Sequence, residues 1–249
     1  MTDSIALKPG ESIESLQFED LRIIQSRDGF RFGTDAVLLS DFALIKPNAR
    51  CADLGTGTGI IALLIAAHHK DACLEAVELE KEAADMARRS VDLNGLNGRI
   101  RVHNADMRNA ADILGYGRMD QVLCNPPYFE EGRALMPESE SKRIARTDLD
   151  IGIEEVARVA FALLKSGGRF SLVFPAQRMD SLVCALREAR LAPKRVRTVH
   201  HTLFHAPKLV LMDAVKNGGT QLHWLPPLIL RNPDGTPAPE WRRIYGCDY

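Results

Sequence analysis

Short apolar runs alternate with longer amphipathic runs from residue 49 to about residue 216. Apolar residues bounded by turn residues predict strands at 49–55, 74–79, 100–104, 120–124, 169–174, 195–200 and 209–215. Apolar residues at helical spacing predict helices at 60–68, 81–94, 151–165 and 177–189, with Gly167-Gly168 ending the third. Strands separated by helices of this length favour parallel pairing with right-handed crossovers. We therefore expect a doubly wound, mostly parallel, seven-stranded α/β sheet with an antiparallel edge hairpin.

The two ends of the chain have different patterns. Leu21–Ser26 and Phe30–Phe32 flank an Asp-Gly turn, which predicts a β-hairpin. A helix should follow it, capped by Thr34 or Asp35. Residues beyond 230 are rich in proline and polar side chains, so we expect a loosely ordered tail apart from Trp241. The predicted domains are an N-terminal hairpin and helix (1–48) packed on a main domain (49–230), and a C-terminal tail (231–249).

Composition limits the classes of function. The 249 residues are 45% hydrophobic and 26% charged, which suits one large α/β domain with a sizeable core. A net charge of −1 excludes a uniformly basic protein, so any nucleic-acid surface must be a local patch. The N-terminus lacks a signal-peptide pattern and no apolar run reaches membrane-spanning length, so we expect a cytoplasmic protein without membrane contact. Five scattered cysteines favour reduced thiols, and we expect no metal.

A glycine-rich loop, residues 53–59 (DLGTGTG), follows the strand predicted at 49–55. Its spacing is neither the G-x-G-x-x-G of dinucleotide sites nor a Walker loop with Gly-Lys-Ser/Thr. Ligands of open parallel sheets bind at such turns, where glycine allows close approach to the backbone. Asp53 precedes the first glycine by two residues and suits a ligand with a cationic amino group. S-adenosyl-L-methionine has such a group.

Two further acids lie at the ends of the next two predicted strands. Glu78 is placed to accept the hydroxyls of a ribose, and Asp106 to accept an adenine amine. Each acid alone could equally be a helix cap or a solvated loop charge. Together with the loop spacing, the three acids resemble the cofactor site of class I S-adenosylmethionine-dependent methyltransferases, over about residues 33–216.

The tetrapeptide Asn125-Pro126-Pro127-Tyr128 directly follows the strand predicted at 120–124. Two prolines stiffen the backbone and remove two N–H donors. The Asn125 carboxamide oxygen and a neighbouring carbonyl can then accept both protons of one amino group, and Tyr128 offers a face for a planar group. We predict these four residues to be catalytic. They match the Asn-Pro-Pro-Tyr motif of methyltransferases acting on a nitrogen conjugated to a π-system, in adenine, cytosine or a glutamine amide.

A combination of segments narrows the resemblance. Residues 30–39 (FRFGTDAVLL), the tetrapeptide continued by Phe129, and Ala145-Arg146 resemble the bacterial family of valine-tRNA adenine N6-methyltransferases. The resemblance implies N6-methylation of adenine in RNA, expected to be tRNA near the anticodon, with Gly33-Thr34-Asp35 closing over the methionine end of the cofactor. The predicted cofactor residues are Gly33, Thr34, Asp35, Asp53, Gly55, Thr56, Gly57, Gly59, Glu78, Asp106, Met107 and Asn125.

Three alternatives stay open at this point. Glutamine methyltransferases of peptide release factors share the tetrapeptide but carry a helical N-terminal domain, whereas only about 48 residues precede the cofactor strand here. Guanine N2-methyltransferases of ribosomal RNA often duplicate the fold and commonly have Phe in place of Tyr128. A binding module that has lost catalysis would usually have lost the glycines or Asn125.

A local excess of basic residues lies late in the chain. Residues 176–216 contain eight Lys or Arg against three Asp or Glu, and one face could collect them. More basic residues follow the tetrapeptide. Phosphate contacts are an equal alternative to solvated charges, because a methylated base must be flipped out while its backbone is held. The predicted substrate-binding residues are Phe129, Arg133, Arg143, Arg146, Lys194, Arg195 and Arg197.

Overall fold

The computed structural model describes residues 6–16, 18, 20–27, 33–126 and 151–245. The strands in these ranges are β1 (Glu11–Ser15), β2 (Arg22–Ser26), β3 (Arg50–Leu54), β4 (Cys73–Glu78), β5 (Ile100–Asn104), β6 (Met119–Cys124), β7 (Leu164–Pro175), β8 (Leu191–His200), β9 (Leu209–Lys216), β10 (His223–Trp224) and β11 (Leu228–Ile229). The helices are α1 (Thr34–Phe42), α2 (Ile60–His68), α3 (Lys81–Leu93), α4 (Ala110–Leu114), α5 (Ile153–Leu163), α6 (Met179–Glu188) and α7 (Pro239–Tyr245). Within these ranges, none of the helices has the length and apolarity required to span a bilayer.

One large sheet organises the described chain. Its order is β10-β8-β9-β7-β6-β3-β4-β5, and β11 also pairs with β8. Strands β3 to β7 pair in parallel, whereas β9 lies between β7 and β8 and is antiparallel to both. Strands β3 to β9 are the seven predicted strands, so the mostly parallel, doubly wound fold is confirmed. The two-residue strands β10 and β11 extend the β8 edge, so the described part of this sheet has nine strands.

Helices cover both faces of this sheet. Helices α1, α2 and α3 pack on one face, and α4, α5 and α6 on the other. The sequence of α2 explains its place, because every residue from Ile60 to Ala67 is apolar and all of them are buried. Helix α5 has a single apolar stripe, which faces the sheet while its glutamates face solvent. Each face thus has its own apolar core, and the strand ends are left open.

The junction between α5 and β7 differs from the prediction. Helix α5 ends at Leu163 and β7 begins at Leu164, so Gly167 and Gly168 lie inside the strand. Met119 of β6 pairs with Leu164, but Gln121 pairs with Arg169, so the residues between form a bulge. Gly167 has φ +76°, in the left-handed region that glycine favours. A Gly-Gly pair is typical of both helix ends and strand bulges, and here it forms the bulge.

The N-terminal hairpin is confirmed, but its pairing differs from the prediction. Strand β2 pairs antiparallel with β1, a strand that the sequence analysis did not predict, with Ile13 opposite Ile24. The predicted second arm, Phe30–Phe32, lies outside the described residues. The hairpin packs on α3, where the Ile24 N–H donates to Ser90 Oγ at 2.9 Å.

The described part of the C-terminal segment packs against the domain. Pro239 opens helix α7, in which the Trp241 and Tyr245 rings lie 4.6 Å apart and Ile244 is buried. Glu240 accepts a hydrogen bond from Arg197 of β8 at 2.6 Å. The prediction of a loosely ordered tail is therefore wrong for residues 231–245. The prolines of this segment lie before or at the start of a short amphipathic helix, and the apolar side of that helix packs against the domain.

Candidate functional site

The strand register brings the predicted site residues to one edge of the sheet. Leu54 of β3 is opposite both Val77 of β4 and Cys124 of β6. Since these strands are parallel, the residues that follow them emerge at the same edge. Gly55 and Asn125 thus leave adjacent strands at the same level, about one interstrand spacing of 4.8 Å apart.

The glycine loop is fixed by the neighbouring strand. The N–H groups of Gly55 and Thr56 both donate to the Val77 carbonyl, at 2.9 and 3.1 Å. Gly57 has φ +58°, and a Cβ there would meet no described heavy atom within 4 Å. Gly59 has φ +94°, and a Cβ there would lie 3.4 Å from that of Ala87 on α3. The loop therefore needs glycine for its backbone angles and leaves open space beside Gly57 for a ligand.

Asp53 is a fully buried acid beneath this loop. Its Oδ2 accepts the Thr56 hydroxyl at 2.5 Å, whereas its Oδ1 has no hydrogen-bond partner within the described part of the chain. Burial raises the pKa of Asp53 to about 7. The Thr56 hydroxyl and the Ala62 backbone N–H oppose this shift, and the nearby negative charge of Glu78 adds to it. An orphaned carboxylate oxygen under a glycine loop fits a ligand that carries a cationic amino group.

Glu78 joins the tip of β4 to the glycine loop. Its Oε2 accepts the Gly57 N–H and its Oε1 accepts the Glu80 N–H, both at 2.8 Å. Each carboxylate oxygen keeps a further lone pair for a hydroxyl donor. Glu78 is therefore oriented by the backbone at the place where the sequence predicts a ribose-binding acid.

Asp106 has a partner that the sequence analysis did not anticipate. It caps the 3₁₀ turn Met107–Asn109 and pairs with Arg108, whose Nε lies 2.8 Å from Asp106 Oδ2. The Arg108 guanidinium lowers the pKa of Asp106. Met107 lies against the glycine loop, its Cε 3.4 Å from where a Gly55 Cβ would be. The structure thus brings Met107 to the loop, and the residue before it, Asp106, is held as a carboxylate by Arg108.

Only the first half of the predicted catalytic tetrapeptide is described. Asn125 is half-buried and Pro126 is buried, directly after β6. The remaining predicted catalytic and substrate residues of this segment lie outside the described residues: Pro127, Tyr128, Phe129, Arg133, Arg143 and Arg146. The function of the tetrapeptide therefore stays a prediction.

The segment Gly33-Thr34-Asp35 lies at the start of α1. Gly33 is the N-cap and makes no side-chain capping bond, so the predicted capping by Thr34 or Asp35 is wrong. Burial raises the pKa of Asp35, and the positive charge of Lys208 opposes this shift. The Lys208 carbonyl accepts the Ala176 N–H directly after β7 ends. Asp35 thus lies near the carboxyl end of β7, the strand beside β6.

Two predicted phosphate-binding arginines are engaged within the protein. Arg195 donates to the fully buried Asp213 at 2.7 Å, and its guanidinium lies 4.5 Å from the centre of the Phe42 ring. Arg197 donates to Glu240 on α7. Both arginines therefore connect a helix to the sheet. Their predicted role in substrate binding stays a prediction.

The basic residues of 176–216 do not collect on one face. Arg178 and Lys208 are exposed near the carboxyl ends of the parallel strands. Lys216 is opposite Leu191, where β8 begins, and donates to carbonyls around the end of α5. Arg187, Arg190 and Lys194 also lie toward that amino-terminal edge, around Asn217 and Gly218. The expectation of a single basic face is therefore wrong.

The sequence analysis missed Gln25 of β2. This side chain is fully buried and its Nε2 lies 3.5 Å from Thr58 Oγ1 in the glycine loop. Its Oε1 has no partner among the residues described. A polar residue at the buried end of the strand LRIIQS was the available signal. The hairpin therefore contacts the loop directly.

Comparisons with known proteins agree with this geometry. A family model described as the methyltransferase small domain matches residues 15–183. The tRNA1(Val) (adenine(37)-N6)-methyltransferase of Tolumonas auensis is 30% identical over 199 residues, 80% of this chain and 81% of that protein. The protein of the same name from Porphyromonas gingivalis strain W83 is 29% identical over 237 residues, 91% of each chain.

A solved structure shares the architecture over most of the chain. The crystal structure of a predicted O-methyltransferase, Atu636 from Agrobacterium tumefaciens, is 25% identical with a TM-score of 0.70, and the match covers 87% of this chain and 98% of that one. The glycine loop, the orphaned Asp53 oxygen and the ordered Glu78 carboxylate fit S-adenosyl-L-methionine as the cofactor. The chain belongs to the methyltransferase small domain family and is an S-adenosylmethionine-dependent methyltransferase.

Proposed function

We propose that this enzyme methylates N6 of an adenine in RNA, and that its substrate is adenine 37 of tRNA1(Val). The observation that carries the proposal is the register of β3 and β6, which sets Asn125 beside the glycine loop. The names of the two relatives support the choice of base and of tRNA. The Asn-Pro-Pro-Tyr sequence supports a planar amine as the acceptor, since two acceptors side by side match an amino group with two protons.

The cofactor is held by groups at three adjacent strand ends. Asp53 accepts the cationic amino group, Glu78 accepts the ribose hydroxyls, and Asp106 accepts the adenine amine. Gly57 lets the backbone come close, because no side chain of the described residues fills the space beside it. When bound, the cofactor supplies a methyl group on a positively charged sulfur.

Asn125 and Pro126 act on the target amine. The lone pair of an aryl amine is delocalised into the ring, so the nitrogen is a poor nucleophile. Hydrogen bonds from its two N–H groups to Asn125 Oδ1 and to the Pro126 carbonyl favour a localised lone pair and stabilise the positive charge that develops on nitrogen. No strong base is required, because the methylated ammonium is acidic and loses its proton readily.

The same residues fix where the base must enter. A base inside a helix cannot reach a strand-end pocket, so the adenine has to be unstacked and rotated into it. Tyr128 would then stack on the ring that Asn125 and Pro126 hold by its amino group. These contacts would fix the position of the target nitrogen, and such positioning supplies much of the rate.

The test is methyl transfer into a defined RNA. An unmodified tRNA1(Val) transcript, incubated with the enzyme and tritiated S-adenosylmethionine, should yield N6-methyladenosine after nucleoside digestion. A transcript with guanine at position 37 is the matched control and should stay unlabelled. Label in N2-methylguanosine, or in protein but not RNA when total RNA and total protein are offered together, would overturn the proposal.

A further inference from the structure

Two large apolar side chains are exposed in the turn between β8 and β9. Phe204 is 79% exposed and Leu203 is 63% exposed. Phe204 is the more exposed of the two, and its ring makes no ring contact with the described residues. Two adjacent, mostly exposed apolar side chains form a small apolar patch, which is the kind of surface that marks a binding site.

The turn that presents them is held by its own hydrogen bonds. His200 Nδ1 donates to the His205 carbonyl at 2.7 Å, and Thr202 Oγ1 lies 2.6 Å from His205 Nδ1. The Lys208 N–H donates to the Val199 carbonyl at 2.9 Å and closes the base of the turn. Phe204 is therefore presented at little cost in conformational entropy when a partner binds.

The turn lies at the same edge of the sheet as the cofactor loop. Leu209, the first residue of β9, is opposite Pro175, the last residue of β7. Strand β7 pairs with β6, which ends beside Asn125. Two interstrand spacings, about 10 Å, separate β9 from β6. The turn thus lies at the edge of the sheet where a target base would enter.

Charge around the turn suits a nucleic acid. Residues 198–208 contain no Asp or Glu, and Lys208 ends this stretch. The exposed Arg178 lies on the same side, after β7. An aromatic face beside cations is the combination by which single-stranded RNA is held, through stacking of bases and contacts to phosphates.

We propose that Phe204 is a stacking platform for a nucleobase next to the target adenine in a single-stranded RNA loop. The proposal rests on the proposed function and adds a substrate-binding residue to it. The stacked base would anchor the loop while its neighbour is rotated toward Asn125. Leu203 would pack against the edge of the same base.

The test replaces Phe204 and measures the use of RNA. The probe is the unmodified anticodon stem-loop of tRNA1(Val), with 2-aminopurine on the 3′ side of adenine 37. Phe204→Ala should raise KM for the stem-loop roughly 5- to 100-fold and reduce the quenching of 2-aminopurine. Its kcat and its KM for S-adenosylmethionine should not change. Phe204→Trp should retain both the wild-type KM and the quenching.

Tyr116→Ala is the matched control. Tyr116 is 66% exposed, but it precedes β6 and lies at the opposite edge of the sheet, so its loss should leave KM unchanged. If Phe204→Ala has the wild-type KM, or if Phe204→Leu serves as well as Phe204→Trp, base stacking is excluded. A wild-type enzyme that methylates neither the full tRNA1(Val) transcript nor the stem-loop overturns the proposed function and the platform with it. Methylation by wild type with no effect of Phe204→Ala overturns the platform alone.

Discussion

Asp53 is the residue through which pH should act on cofactor binding. Its pKa is raised to about 7 because it is buried near Glu78. A cationic amino group at Asp53 Oδ1 favours the charged form, so binding should lower this pKa and release a proton below about pH 7. Affinity for S-adenosylmethionine should therefore rise from pH 5 to about pH 7. Calorimetry in buffers of different ionisation enthalpy measures the released proton, and Asp53→Asn should abolish both effects.

The same pKa predicts the sign of a stability change in the cofactor-free enzyme. Between pH 4 and pH 7 the folded protein keeps the Asp53 proton that the unfolded chain has lost. The contribution of Asp53 to the free energy of unfolding is thus greatest at low pH and falls as pH rises through about 7. Asp53→Asn, which cannot titrate, should remove this part of the pH dependence in thermal unfolding. Identical pH profiles for the two proteins would contradict the assignment.

Asn125 should matter for the chemical step and not for cofactor binding. Asn125→Ala leaves the glycine loop intact, so the Kd for S-adenosylmethionine should stay within a few-fold of wild type. Loss of one preorganised hydrogen-bond acceptor should lower the rate by about 10²- to 10³-fold. Single-turnover methyl transfer at saturating cofactor measures this rate. Tyr128→Phe keeps the aromatic face for stacking, so this control variant should lose little activity. A near wild-type rate for Asn125→Ala would mean that the tetrapeptide has no catalytic role.

At the scale of elements, local patterns predicted the parts of the site that lie next to each other in sequence. Asp53 and the glycines belong to one strand and its turn, and Glu78 ends the next predicted strand. Partnerships between distant segments were not predictable in this way. The pairing of β1 with β2 joins two weakly patterned strands, and Arg195 pairs with Asp213 across strands. The sequence pattern does not indicate that Arg195 pairs with Asp213, because the two residues lie on different strands. The pattern therefore predicts Arg195 to be a substrate-binding residue.

The N-terminal hairpin should stabilise the conformation of the glycine loop. Gln25→Ala removes the side chain that reaches Thr58, so the loop should be held less firmly. We expect affinity for S-adenosylmethionine to fall about 3- to 10-fold, the scale of one lost hydrogen bond. Fluorescence titration or calorimetry gives the Kd.

The control for Gln25 is a second contact of the same hairpin. Ser90→Ala removes the acceptor of the Ile24 N–H on α3 and does not touch the loop. It should lower Tm while the Kd for cofactor stays at the wild-type value. If Ser90→Ala weakens cofactor binding as much as Gln25→Ala does, the hairpin contributes only to stability.

At the scale of the whole molecule, the sheet separates two groups of basic residues that are close together in sequence. Arg178 follows β7 at the edge that bears the cofactor loop, whereas Arg187 lies toward the amino-terminal edge. A sum of charges over residues 176–216 cannot distinguish them, because consecutive elements cross the sheet in opposite directions. Phosphates of an RNA loop that reaches Asn125 can lie near the first group only.

This separation gives a test with paired variants. Arg178→Gln should weaken binding of the tRNA1(Val) transcript and reduce the slope of log K against log salt by about 1, since one phosphate contact is lost. Arg187→Gln removes the same charge from the far edge, so affinity and slope should both remain close to wild type. Filter binding over a range of salt concentrations measures the two slopes. Equal slopes for the two variants would mean that the RNA does not approach by the carboxyl ends of the strands, and the assignment of that edge to the substrate would fail.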